Sequence, residues 1–401
     1  MLNMNLFISQ YVTKRPQSMF LTDIQHHEDE LRSRIEGKTV CVIGGAGSIG
    51  SSFIKALLPF RPDSLVVVDI NENALAELTR DLRSSDDMYI PEDYITYPMD
   101  FASPVFRRMF MDRKGFQIVA NFSAHKHVRS EKDIYSIEAL LNNNILHAGL
   151  LLDILSVYPP EEYFCVSTDK AANPVNIMGA SKRIMEDLIF SYSASFPVKT
   201  ARFANVAFSN GSLPAGFLSR IQKGQPLSAP SDVKRYFVSP EESGQICLMS
   251  CILGNNREIF FPKLDEEQMM TFDAIAVSLL HEHGFEVLRC PSEQDAIKKA
   301  KDLRNGSRQY PVYFSPSNTS GEKAYEEFYT NTESVDLDRF RSLGVIRDKE
   351  IPDRAGLGKL LQRLTAIFEA QTNKEEVVSL LKDYLPNFEH IETGKSLDSK
   401  M

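Results

Sequence analysis

At 401 residues the chain is long enough for two or three domains and a large buried core. Hydrophobic residues make up 43% and charged residues 25%, the balance of an ordinary globular protein. A net charge of −9 supplies no concentrated basic field, which argues against a dedicated nucleic-acid binder and leaves room for a basic pocket around one phosphorylated small molecule.

No apolar run reaches the ~18 residues that a membrane-spanning helix needs. The opening MLNMNLFISQYVTKRPQ has no compact apolar stretch before a cleavage site, so no signal peptide and a cytoplasmic location are expected. Cys41, Cys165, Cys247, Cys251 and Cys290 lack paired zinc-type spacing and read as reduced thiols. Cys247 and Cys251 would share a helix face as small apolar residues.

Residues 1–37 read as a helical extension, closed by glycine in HHEDELRSRIEG. KTVCVIGGAGSIGSSFIKALL is a buried strand, a glycine turn and a helix, and SLVVVDINENALAELTRDLRSS repeats the strand–helix pattern. FQIVANFSA, EEYFCVSTD and VKTARFANV are further strands with helical stretches between them. This alternation predicts an α/β doubly wound parallel sheet, a Rossmann domain over 38–212. Beyond it, Pro-, Gly- and Ser-bearing loops and short helices suit a smaller α/β substrate lobe over 213–330, with some segments returning to the sheet. Residues 281–316 follow no clear period. RAGLGKLLQRLTAIFEAQ and KEEVVSLLKDYL are amphipathic, so 331–401 is expected to be a helical extension that packs on the core or makes a subunit contact.

Gly44, Gly47 and Gly50 form G-x-x-G-x-x-G between an apolar strand and a helix, with Ser48 and Ile49 inside the motif. Glycine permits a tight turn and a close approach of backbone to pyrophosphate, and the helix N-terminus supplies N–H groups and a favourable dipole. Asp69 ends the next strand, placed for the adenosine ribose hydroxyls, and its charge would repel a 2′-phosphate. NAD is therefore favoured over NADP, although Arg80 or Arg83 could serve the latter. Asp100, next to Phe101, either bonds the adenine or caps its own loop. A cofactor of this kind makes the chain an expected enzyme.

Ser167-Thr168-Asp169-Lys170 closes a strand, and Met178-Gly179-Ala180-Ser181-Lys182 follows. Together with NFSAHKHV at 121–128, RFANVAFSNGS at 202–212, KRYFVS at 234–239 and GEKAYEEF at 321–328, these segments resemble the extended short-chain dehydrogenase/reductase superfamily. Within it the chain resembles the nucleotide-sugar 4,6-dehydratases of bacterial polysaccharide biosynthesis, over about 38–330. The resemblance implies hydride removal from sugar C4, loss of water across C5–C6 and return of hydride to C6, with a tightly bound, recycled NAD(P).

The resemblance also implies roles. Asp169 would protonate the leaving hydroxyl, and Lys170 would remove the C5 proton, which requires a depressed pKa from burial and the neighbouring Lys182. Thr168 would bond O4, and Lys182 the nicotinamide ribose. Met178 stands where the superfamily has its tyrosine base, as in a methionine-bearing subgroup, and the O4 base is then Asp169, Lys182 or a water. Lys126 and His127 match residues near the sugar, and Asn205 and Ser212 would sit beside both the cofactor and the sugar. Arg235 and Lys263 match diphosphate cations, and Glu322 the G-E-K glutamate at the nucleoside ribose, although Thr319-Ser320 replaces the family's usual Arg-Pro. The expected substrate is UDP-N-acetylglucosamine or a relative, and the expected assembly a homo-oligomer. No metal site is expected. An epimerase or ketoreductase on the same fold, or a silent NAD-binding scaffold, are the rival readings.

Overall fold

The computed structural model describes residues 2–317, 321, 323, 325–370 and 373–392. Six parallel strands follow the expected alternation: β1 (Thr39–Ile43), β2 (Ser64–Asp69), β3 (Asp93–Pro98), β4 (Ile118–Asn121), β5 (Glu162–Thr168) and β6 (Val198–Phe203). Glu258–Pro262 joins β6 in parallel, and Leu343–Arg347 and Ser334–Asp336 extend that edge antiparallel. Across the sheet the order runs Ser334–Asp336, Leu343–Arg347, Glu258–Pro262, β6, β5, β4, β1, β2, β3. Chain direction across the sheet reverses between β1 and β4, the place where open α/β sheets bind ligands at their strands' carboxyl ends.

Local chemistry explains the elements. TVCVI in β1 and LVVV in β2 are near-continuous apolar runs because helices cover both faces of a parallel sheet. Asn71 caps Glu72–Ser84 by accepting the Ala74 N–H, Ser103 with Pro104 starts Pro104–Asp112, and Asn176 caps Ile177–Phe190 by accepting the Gly179 N–H. In that last helix Arg183 alone is not buried.

That helix packs against β5, β6 and the helical stretch 134–155, and the Tyr384 hydroxyl reaches Asp187 from the chain's C-terminal part. Helices Arg354–Glu369 and Lys374–Tyr384 insert Leu357, Leu360, Leu364, Val377, Leu380 and Leu381 into the main core, so they pack on their own chain. Residues 334–347, placed by sequence in a helical extension, instead complete the sheet. Their short strands are followed by a charged loop, which hid them among the approaching helices.

A second core holds Phe7, Ile8 and Val12 with Phe217, Ile275, Leu279, Tyr310 and Val312. The N-terminal residues thus brace the smaller lobe. Phe20, Leu31 and Ile35 brace the main core, and Arg15 between them makes a bidentate pair with the buried Glu242. Segment 281–316 supplies Glu286–Arg289, helix Glu293–Lys299 and Gln309–Ser315. The two strands form a three-stranded parallel sheet with Leu227–Pro230. No described helix is long and apolar enough to cross a membrane.

Candidate active site

At the carboxyl ends of the strands lies a cavity of about 1010 Å³, bounded on one side by the glycine turn and on the other by the smaller lobe. Gly44 has φ +69°, and a Cβ there would lie 2.6 Å from Ser123 N. A Cβ at Gly50 would lie 2.4 Å from Gly44 O, so neither position admits a side chain without moving backbone. Asp69 braces the turn, accepting the Ala46 N–H at 3.1 Å and the Asn71 N–H at 2.9 Å. The Ser48 hydroxyl accepts the Asn210 N–H at 2.8 Å, tying the turn to the facing loop.

Gly44, Gly47, Ser48, Ile49, Gly50, Asp69 and Phe101 all line the cavity. This bare cradle at the start of helix Ser48–Leu57 fits a dinucleotide's pyrophosphate. Asp100 is not in the lining: exposed, it accepts the Ala102 N–H at 2.8 Å and so takes the loop-capping role. Arg80 pairs with Glu77, and Arg83 lies over the Tyr94 ring. Neither arginine reaches the lining.

At the end of β5 the Thr168 hydroxyl donates to Asp169 Oδ1 at 2.9 Å, and Lys170 Nζ lies 3.0 Å from the same oxygen. The Asp169 side chain is buried, while Thr168 and Lys170 line the cavity. Sequence reasoning missed Glu326, a buried carboxylate 3.5 Å from Lys170 Nζ. It sits in GEKAYEEF, where the resemblance drew attention to Glu322, a residue outside the described ones. Burial opposes the Lys170 ammonium, but Asp169 and Glu326 outweigh it and hold the Lys170 pKa above its ordinary value. The expected depression is thus reversed, because two carboxylates flank the amine. Burial in turn raises the Glu326 carboxyl, against the pull of Lys170.

Lys182 lines the cavity with its ammonium donating to Val166 O at 3.0 Å, and burial lowers its pKa. Met178 also lines it, and its N–H donates to Glu131 Oε1 at 3.1 Å.

Lys126, His127, Asn205 and Ser212, expected at the sugar, line the same cavity. Asn144, in the π-turn Asn142–Leu146, bonds both the N–H and the C=O of His125 and the Ser181 hydroxyl, fixing this loop on helix Ile177–Phe190. The triple asparagine at 142–144 was the available signal for it. Arg235 and Lys263 are not in the lining. Buried Arg235 donates to the carbonyls of Lys234 and Lys323 and lies 3.9 Å from Glu326. Lys263 is pinned to the carbonyls of Leu337 and Phe340. Both cations are consumed inside the fold. Arg220, unremarked in the sequence, does line the cavity, on helix Leu213–Lys223, whose first turn Ser212 caps. Among the described residues no cluster of His, Cys, Asp or Glu could hold a metal ion.

The family model described as "Polysaccharide biosynthesis protein" matches residues 40–345. The chain belongs to that family. Among curated members it is 28% identical to the probable polysaccharide biosynthesis protein EpsC of Bacillus subtilis over 75% of this chain, but spans only 49% of EpsC's length. It is 24% identical to the UDP-N-acetylglucosamine 4,6-dehydratase (inverting) of Campylobacter jejuni, over 75% of this chain and 84% of that protein. Epimerases are as near: the UDP-glucose 4-epimerase of Rickettsia bellii is 27% identical over 76% of this chain and 95% of its own. Relatives of this chain are therefore nucleotide-sugar dehydratases and epimerases. Its fold matches Streptomyces venezuelae DesIV, a dTDP-glucose 4,6-dehydratase solved with NAD and TYD bound, at TM-score 0.52 and 18% identity. That match covers 70% of this chain and 88% of DesIV. The fold is the Rossmann fold of the extended short-chain dehydrogenase/reductases.

One feature of the site lies beyond the family match. His390 Nε2 sits 3.3 Å from Glu131 Oε2, whose other oxygen holds the Met178 N–H, and Lys374 Nζ donates to Glu131 O at 3.1 Å. Ile391 N–H donates to Val175 O at 2.9 Å, and Ile391 O accepts the Gly321 N–H at 3.0 Å. Gly321 O in turn accepts from Asn176 Nδ2 at 2.8 Å. The C-terminal segment thereby clamps the loop between Lys170 and helix Ile177–Phe190.

Proposed function

We propose that this family member is a cytoplasmic, NAD-dependent nucleotide-sugar 4,6-dehydratase, acting on UDP-N-acetylglucosamine or a close relative. The observation that carries the reading is the contiguous Thr168–Asp169–Lys170 set. It offers a hydroxyl and an amine at one cavity wall with a buried acid directly behind them, Asp169 Oδ1 lying 2.9 Å from Thr168 Oγ1 and 3.0 Å from Lys170 Nζ. The C. jejuni relative bears the same activity in its name.

The glycine turn and Asp69 would hold the dinucleotide, with Lys182 at its nicotinamide ribose. The carboxylate at the end of β2 and the absence of Arg80 and Arg83 from the lining favour NAD. Bound there, the dinucleotide supplies reversible storage of a hydride between sugar C4 and C6. The protein's task is proton traffic. Thr168 Oγ1 accepts the proton of the O4 hydroxyl while passing its own to Asp169 Oδ1, so the pair replaces the tyrosine that Met178 displaces. Asp169 then delivers that proton to the C6 oxygen, which leaves as water. Lys170 removes the C5 proton and later returns one to C5. Protons balance: the one taken from O4 departs in the water.

A C4 epimerase needs no acid at C6, so Asp169 beside Lys170 counts against that rival, which the Rickettsia relatives keep in view. Arg220 is the arginine placed for the diphosphate, in the role sequence gave to Arg235. The test is incubation of the purified chain with UDP-N-acetylglucosamine in deuterated water, followed by mass spectrometry. Dehydration gives loss of one water and deuterium at C5 without net reduced cofactor. A sugar isomer of unchanged mass would establish the epimerase instead, and no turnover on any nucleotide sugar would leave the scaffold.

A further inference from the structure

Resting on the dehydratase reading, we infer that Glu326 is the internal proton acceptor that converts Lys170 from ammonium to amine for removal of the C5 proton.

Lys170 must be neutral to act as a base, yet it lies between two carboxylates that hold its proton: Asp169 at 3.0 Å and Glu326 at 3.5 Å. Asp169 cannot be the resting acceptor, because its one vacancy is filled by the O4 proton it carries to C6. Glu326 remains. It is buried, within one proton transfer of Nζ, and takes no other part in the dehydration. The other charges facing the pair are Arg235, 3.9 Å from Glu326 Oε1, and Lys323. Burial raises the Glu326 carboxyl and so narrows its gap to Lys170, and a sugar closing the cavity removes more water from both.

The step balances. One N–H bond of Lys170 breaks as an O–H bond forms on Glu326, leaving a neutral pair where an ion pair stood. The amine takes the C5 proton and gives a proton back to C5 when C6 is reduced. Glu326 returns its proton to Lys170 at the end, and no external acid, base or oxidant enters.

The surroundings fix Glu326 in place. Two residues on, the Phe328 carbonyl accepts from fully buried Arg202 at 2.9 Å, and Glu327 accepts from Asn173 Nδ2 at 2.9 Å, in the loop that follows Lys170. Arg235, which sequence assigned to the diphosphate, braces the same strap through the Lys323 carbonyl.

The experiment compares wild type, E326Q and E326D as full chains with UDP-N-acetylglucosamine. It reads kcat and KM across about pH 6–9, the rate of C5 deuterium incorporation, and the nucleotide released on denaturation. E326Q should keep its nucleotide content and KM while kcat and C5 exchange at pH 7 fall by about 10²-fold, a typical general acid–base contribution. Its kcat should climb with pH at unit slope, as Lys170 loses its proton to solvent instead. E326D, one methylene short, should fall between the two.

If Glu326 only holds Lys170 charged, E326Q would lower the Lys170 pKa, and kcat at pH 7 would stay level or rise with the alkaline limb moved to lower pH. Either result overturns the relay while the dehydratase reading stands. Wild type that dehydrates no nucleotide sugar overturns both. Should E326Q fail to fold, E326D, which keeps the buried charge, decides: wild-type kcat at every pH removes Glu326 from the proton path.

Discussion

Replacing Arg202 by methionine tests whether the site rests on a buried charge network behind it. The guanidinium is fully buried and bonds both oxygens of Glu186 at 2.9 and 2.8 Å, both of Glu333 at 2.8 Å, and the Phe328 carbonyl. Glu186 also accepts the hydroxyl of Ser167, the residue before Thr168. Methionine keeps much of the volume and removes the charge, so two carboxylates remain inside the fold, Glu186 paired with Arg183 and Glu333 with Lys349. Removing one partner of a buried ion pair costs about 3–5 kcal/mol.

Glu333 gives a second route to the figure. Burial pushes its carboxyl up, but Arg202 first and Lys349 after it pull it down to about 2 from an ordinary 4.5, equivalent to about 3 kcal/mol, part of it from Lys349. The sign follows from the depression. This stabilisation is fully present above pH ~4.5 and is lost as the pH falls toward 2, so the wild-type acid limb should flatten in R202M. Urea unfolding followed by circular dichroism, at neutral pH and about pH 3, measures both effects. A loss below about 1 kcal/mol at neutral pH, or an unchanged acid limb, would refute the network's role. R202K, which keeps the charge without the planar fork, should lie in between.

Two further outcomes are expected. G50A places a methyl 2.4 Å from Gly44 O and 2.7 Å from Gly45 Cα, so calorimetric NAD binding should fall at least about tenfold with little change in circular dichroism; wild-type affinity would refute the assignment of the turn. Truncation after Leu385 removes the His390 and Ile391 contacts to Glu131 and Val175 and should lower kcat several-fold with nucleotide content intact, H390Q doing less harm than H390A. Unchanged kcat in the truncated chain would show the clamp to be packing alone.

What could be read from the sequence was what short-range periodicity and turn chemistry carry. β1, the glycine turn and Asp69 were legible because an apolar run, glycines and an acid fall within one strand–turn–helix–strand unit, and each side chain's place follows from that unit alone. The end of the strand at Thr168 was legible for the same reason, but the roles of Thr168, Asp169 and Lys170 came only from the family resemblance, since an Asp-Lys pair after a strand looks by itself like a solvated loop. Arg235 and Lys263 went astray because charge says what a side chain can bind and not which way its strand presents it; both found carbonyls inside the fold before reaching the cavity.

Helix Ile177–Phe190 hid its setting in another way. Arg183, Glu186 and Asp187, three and four residues apart, look in sequence like a solvated face, yet Glu186 and Asp187 are buried, Glu186 against Arg202 and Asp187 within reach of the Tyr384 hydroxyl. The clamp at His390 and Ile391 is the extreme case. Its links to Val175 and Gly321 run through backbone N–H and C=O groups, which every residue but proline carries, so no residue type marks them. Glu326 belongs between these extremes. Its charge was visible in GEKAYEEF, but its meaning depended on which of several glutamates the fold would set against Lys170, and that was decided by Arg202 gripping the chain two residues later. The proton path and the buried network are therefore one structure: the charges that cannot be read locally are those that hold Glu326 3.5 Å from the amine it would discharge.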